Sequence, residues 1–220
     1  MKMACMALSA LMWVSASFAG WPDIPAPPGS RIESIGENVR LNGVPMRMQR
    51  VLSMGKAGEI VQFYRKALGP RLAEVTLPDG RLLSQGRGDY FLTVRVKRLG
   101  PSLTETLVSV SDARAAQNAA GRPLGFQLPS NSELLSDMES TDNGKMSRQL
   151  VFLNGHSVQS NVDSITKILD SRGYRPQTEG ARKSINESVL MFGGNQREAR
   201  LVVVRKDGNS NVVLTTVRMP

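Results

Sequence analysis

Val39-Arg40-Leu41-Asn42-Gly43-Val44-Pro45-Met46-Arg47-Met48-Gln49-Arg50-Val51-Leu52 is the stretch on which the fold turns. A two-residue hairpin loop of this kind needs positive φ at both positions, which Asn-Gly adopts readily. Val39 to Leu41 and Val44 to Leu52 therefore read as neighbouring antiparallel strands. Pro45 has no N–H to donate, which predicts that its strand lies at a sheet edge, open to strand addition by a partner.

The pattern recurs further along. Asn143-Gly144 precedes Ser147 to Leu153, and Met46, Gln49, Val51 and Leu52 are echoed by Met146, Gln149, Val151 and Phe152. Pro28 to Ser34 is echoed by Pro129 to Ser136, and the run 92–100, LTVRVKRLG, by 201–208, LVVVRKDG. A recurring order of elements is the mark of an internal repeat.

A helix is expected after each hairpin. Ile60, Phe63, Tyr64, Ala67 and Leu68 make one apolar stripe, with Ser53 as the expected cap and Gly69-Pro70 as the stop. Val162, Ile165, Ile168 and Leu169 make the other, with Ser160 or Asn161 as cap and Gly173 as stop. One stripe per helix places each helix on a sheet. Strands are expected to close each unit: Leu72 to Leu77, Arg81 to Gln85, and Tyr90 to Arg98 running on to Glu105 to Ser111 in the first. In the second they are Ile185 to Phe192, Arg197 to Arg205 and Asn211 to Val217.

The expected fold class is α+β: two tandem modules, each an antiparallel sheet with one helix packed on one face, a ββαβββ-like internal duplication. Residues 1–19 read as a signal peptide, 20–29 as a Pro-rich N-terminal arm, 30–111 as the first module, 112–128 as a linker and 129–220 as the second module. In the signal, Lys2 precedes an uncharged run from Met3 to Val14, and small residues lead to a cut near Ala19-Gly20. The arm WPDIPAPPGS, with its prolines, is expected to be an extended spacer rather than an anchor on a partner. In the linker, Asp112 to Ala120 suits a short helix stopped by Gly121. Whether the two sheets join into one is a matter the residues leave open.

Composition narrows the chemistry. The net charge is +9, falling to +8 when Lys2 leaves with the signal, and 40% of the chain is apolar, enough for packed cores. Cys5 would also leave, so the exported chain has no disulfide framework. His156 is the single histidine, and Gly155-His156-Ser157 sets His and Ser side by side where a catalytic pair would need to converge. Carboxylates such as Glu33, Glu74, Asp89, Glu105 and Glu139 stand in polar surroundings that would not raise a pKa for acid catalysis. Arg-Gly-Asp at 87–89 sits where a hairpin turn needs Gly and Asp. No cofactor or metal is implied, and no catalytic set is assigned.

The basic residues carry the functional tilt. Arg65, Lys66 and Arg71 gather at the end of the first helix, while Arg95, Lys97 and Arg98 lie on one strand. Leu92, Val94 and Val96 would face the helix and leave Arg95 and Lys97 as a cationic stripe on the open side. Tandem α+β units behind a signal resemble, in architecture, the periplasmic repeats of envelope-assembly and secretion machines. The strand–helix order departs from the polypeptide-transport-associated and ring-building patterns.

The expectation is an exported, periplasmic or secreted, non-enzymatic two-repeat protein. It would act as a protein-interaction module of the bacterial cell envelope, with an envelope or secretion-system protein as partner. The alternative is a binder of an anionic polymer or lipid surface through the six basic residues, and a carboxylate-based hydrolase comes third.

Overall fold

A computed structural model describes residues 20–36, 38–119 and 121–220; the expected signal segment lies outside them. The chain enters through β1 (Arg31–Ser34) and forms the hairpin β2 (Val39–Leu41) and β3 (Val44–Met54). Helix α1 (Ala57–Leu68) follows, then the meander β4 (Ala73–Leu77), β5 (Gly80–Arg87), β6 (Tyr90–Arg98) and β7 (Leu103–Asp112). A short helix α2 (Ala113–Ala119) leads to the hairpin β8 (Glu133–Asp142) and β9 (Lys145–Asn154), helix α3 (Val158–Ser171), and a second meander. That meander is β10 (Arg175–Lys183), β11 (Glu187–Gly194), β12 (Arg197–Lys206) and β13 (Asn209–Arg218). The described residues thus form an α+β, mostly antiparallel fold of 13 strands and three helices.

All strands belong to one sheet, ordered β10-β11-β12-β13-β9-β8-β2-β3-β7-β6-β5-β4, with β1 pairing β3 beside this path. Reading outward from the β8–β2 contact, each side runs hairpin, last meander strand, then the meander in reverse. The contact is antiparallel, with Arg40 opposite Glu139 and Leu41 opposite Met138. Asn42 makes the joint specific. Its φ of 51° forms the hairpin turn, its N–H donates to the Asp137 carbonyl at 2.7 Å, and its Oδ1 accepts from the Asp137 N–H at 2.8 Å. Asn38 and Thr141 add a reciprocal pair of backbone hydrogen bonds, at 3.4 and 3.3 Å, that tie the first hairpin to the second.

Both main helices lie on the same face. Directly opposite residues in an antiparallel ladder share a face, and Pro45, Arg40, Glu139 and Arg148 form such a row across the joint. Pro45 shares its side with Val51, which packs under α1, and Arg148 shares its side with Leu150 and Phe152, which pack under α3. Under α1, Ile60, Val61, Tyr64 and Leu68 meet Val51, Leu83, Leu92, Val94, Val96, Val108 and Val110. Under α3, Val158, Val162, Ile165 and Leu169 meet Leu150, Phe152, Leu190, Phe192, Leu201, Val203, Val212 and Leu214.

Several expectations are corrected. The two long helices, α1 and α3, are each followed by four strands. The order is βββαββββ in the first half, counting β1, and ββαββββ in the second, where ββαβββ was expected. The missed strand β10, RPQTEGARK, lies at the sheet's edge with a register shift between Gln177 and Arg182. An edge strand paired on one side has no need of alternating apolar residues, and this one offers none to read. Ser53 does not cap α1. It is 1% exposed near the end of β3, and the helix starts after Lys56, whose N–H donates to Glu59 Oε2 at 3.1 Å. Nor do Ser160 or Asn161 cap α3: Ser157 does, its Oγ accepting from Ser160 N–H at 3.1 Å, while Asn161 is turned into the core. Pro45 is not on an edge strand, since β3 lies between β2 and β7. In a two-residue hairpin the pair next to the loop carries the hydrogen bonds, so Pro45 opposite Arg40 turns its nitrogen away from β2. On that other side β7 pairs β3 only from Met46 onward, and no ladder bond is lost.

The Pro-rich arm is docked, which corrects the spacer expectation. Ile24 is 6% exposed in the first core, with Trp21 and Ala26 packed against the same cluster. The segment after α2 does likewise: α2 buries no residue, but Phe126 enters the second core with Leu124 and Leu128 beside it. Both segments end alike. Gly29 and Asn131 take positive φ, Ser30 Oγ meets Ser53 Oγ at 2.8 Å, and Ser132 Oγ accepts from Asn154 Nδ2 at 3.0 Å.

Candidate functional site

The six basic residues singled out from the sequence fall in several places. Arg65, on α1, donates Nε and Nη2 to the Glu74 carboxylate of β4 at 2.8 and 2.7 Å, and Arg81 adds a contact at 3.4 Å. The hydrogen bond from Arg65 holds the Glu74 carboxyl below its ordinary pKa against the opposing pull of burial. Arg95 and Lys97 lie on the face away from the helices, where both reach Asp79, at 3.0 and 3.7 Å. Burial would raise the Asp79 carboxyl, but the Arg95 hydrogen bond and the two cationic charges carry it below the usual value. Lys66, Arg71 and Arg98 are exposed and have no ion-pair partner among the described residues. Arg98 pairs in register with buried Thr104, on the helix side, so Arg95–Lys97 and Arg98 face opposite ways.

His156 and Ser157 occupy the turn before α3. His156 Nε2 lies 2.8 Å from the Ser130 carbonyl, its own carbonyl accepts from Ser210 Oγ at 2.6 Å, and Ser157 is the helix cap. These are the contacts of a structural turn. Among the described residues no group of three or more His, Cys, Asp and Glu gathers as a metal site would need.

The best-formed concavity lies on the helix side near the joint, where the C-terminal end of α3 overhangs β9 and β13. It encloses about 270 Å³. Its floor is apolar: Leu150 from β9, Leu214 from β13, Leu169 from α3 and Phe126 from the docked segment. Its rim carries Arg148, Arg172 and Arg218, with Glu139 the one carboxylate, and Ser140, Thr141 and Thr216 supply hydroxyls.

The arginines differ in their engagement. Arg148 gives Nε and Nη2 to the Asp137 carboxylate at 2.8 Å each and reaches the Leu124 carbonyl; the Asp137 hydrogen bonds raise its already high pKa. It is a structural clamp that fixes the docked segment to the second hairpin. Arg172 lies over the Phe126 ring at 4.7 Å and donates to the Gly125 carbonyl at 3.0 Å. Arg218, at the end of β13, is exposed and has no carboxylate partner among the described residues. An apolar floor under unspent guanidinium charge suits a ligand with an apolar body and an anionic group.

Sequence reasoning passed over these residues because they come from β8, β9, β13, the end of α3 and the docked segment, which are far apart along the chain. One signal was legible: Arg47 and Arg148 each stand four residues after an Asn-Gly pair. Comparison of the chain with protein-family models, with curated proteins and with solved structures returned no match.

Proposed function

We propose that this chain is an exported, non-enzymatic two-repeat protein that binds another protein of the bacterial cell envelope, as an accessory to secretion or surface assembly. The reading as two repeats draws on the matching element order either side of the β8–β2 joint and on the paired docked segments. The observation that carries the binding role is the arginine-rimmed hollow beside that joint. At about 270 Å³ it falls just below the usual size of small-molecule pockets, about 300–1,000 Å³. It suits a single side chain of a partner better than a whole metabolite.

A photo-crosslinking residue in place of Met146, which lines the hollow and is 51% exposed, tests this in the native compartment. Crosslinking to a distinct protein is expected there, and not from Phe91 on the opposite face. Absence of any protein adduct from Met146 would remove the reading. The second reading, a binder of anionic polymers or lipid surfaces, draws on Arg95 and Lys97 side by side on the open face. Their shared contact with Asp79 offsets part of that charge. It requires retention on heparin that collapses with salt.

A further inference from the structure

In the first half of the sheet, the counterpart of the hollow is filled, and its filling says what the hollow takes. Arg47 lies opposite Val110 as Arg148 lies opposite Thr216, so the two arginines occupy matching points of the two ladders. Beneath Arg47 sits the indole of Trp21, 5.3 Å from the guanidinium and 5.2 Å from the Tyr90 ring. Trp21 stands three residues ahead of the core residue Ile24. Three residues ahead of the matching core residue Phe126 stands Pro123, which has no ring of that size to offer. The second half therefore keeps the slot open.

The charge around the slot differs in a directed way. Asp112 ends β7 opposite Tyr90, and at the same register in the second half Arg218 stands opposite Arg197. The Asp112 carboxylate accepts from the Ala115 N–H at 2.8 Å, whereas Arg218 at the hollow has no carboxylate partner among the described residues and Arg172 lies nearby on the rim.

We infer that the hollow receives an aromatic side chain of a partner protein, carried on an extended segment with a carboxylate close to the ring. The ring lies on Leu150 and Leu214 beside Arg148, as Trp21 lies beside Arg47, and the carboxylate meets Arg218. The chain's own Trp21-Pro22-Asp23 is a segment of that type. The inference rests on the protein-binding reading and names the partner's chemistry at the same site.

The peptide acetyl-Trp-Pro-Asp-amide is the probe, titrated into the ¹⁵N-labelled full chain while backbone amide shifts are followed. Saturable shifts are expected at Arg148, Leu169, Thr216 and Arg218. Replacing Trp by Leu in the peptide should weaken binding at least tenfold, and Asp by Asn about threefold. Arg218→Gln should weaken the Asp peptide by the same threefold and leave the Asn peptide unchanged. Pro123→Trp, which offers the slot a ring from within, should abolish the shifts; Arg218→Gln serves alone if that variant does not fold. No saturable shift at these amides, or equal binding of the Trp and Leu peptides or of the Asp and Asn peptides, overturns the inference. A Met146 crosslink obtained without peptide binding would leave the protein-binding reading standing and remove only this chemistry.

Discussion

At the handover from hairpin to helix, the first half of the sheet uses hydroxyls and the second uses amides. Ser53 meets Ser30, and Thr104 donates to the Gly55 carbonyl at 2.9 Å. At the matching place Asn154 and Asn161 face each other inside the core, each giving its Nδ2 to the other's Oδ1, at 2.8 and 3.0 Å. Asn154 also binds Ser132, and Asn161 reaches the Ser157 carbonyl. The second network is satisfied and ties three segments together. The first half instead leaves the Tyr64 hydroxyl and Thr106 Oγ1 buried without a completed hydrogen bond, where Ile165 and Val212 hold the matching core positions. The two junctions are held by different groups, and the price of disturbing them differs.

The largest effect is expected from the docked segments. Phe126→Ala should cost about 3–4 kcal/mol in urea unfolding, as aromatic truncations in cores do, and Ile24→Ala about 2–3 kcal/mol. Equal and small losses would mean that these segments are not part of the cores. Next, Asn161→Ala removes both bonds that join it to the buried Asn154 amide, which keeps only Ser132 and the His156 N–H. It should cost about 2–3 kcal/mol, while Ser53→Ala in the first half should cost about 1 kcal/mol. Should the order of those two losses reverse, the contrast between amide and hydroxyl junctions fails.

Tyr64→Phe should run the other way and stabilise by about 1 kcal/mol, because it removes a buried hydroxyl that has no full partner. Burial pushes the Tyr64 hydroxyl up to about 12, with Thr106 near enough to moderate the shift. Between the ordinary tyrosine value, about 10, and 12 the unfolded chain loses a proton that the folded chain keeps, so stability falls as pH rises through that window. Thermal melts from pH 9 to 12 should show this slope in the parent chain and lose most of it in Tyr64→Phe.

The smallest effect is on the acid side. The Glu74 carboxyl lies below its ordinary value, so its stabilisation is present above that value and is lost as pH falls through the lowered one. Glu74→Gln should flatten the acid limb of the melt curve slightly and leave the alkaline limb alone. No change on either limb would show that the half-buried Arg65–Glu74 pair is energetically silent, as many surface pairs are.

Much of the architecture was legible in the residues. Asn42-Gly43 and Asn143-Gly144 marked both hairpins, and the stripes from Ile60 to Leu68 and from Val162 to Leu169 marked the buried sides of both helices. Caps were less legible: Ser53 and Asn161 are good capping types in sequence, yet both are spent on buried polar contacts. The hollow was not legible, because Leu150, Leu169, Arg172 and Arg218 converge only after helix and sheet pack.

By itself the sequence determined the local units, since turn geometry and apolar periodicity are properties of neighbouring residues. Only the tertiary structure decided that the two sheets become one, that Phe126 and Ile24 seal the cores, and that Trp21 packs beside Arg47 while a hollow lies beside Arg148. The joint between β2 and β8 is made chiefly by backbone N–H and C=O groups, which every residue except proline carries in full, so side-chain identity does little to announce it.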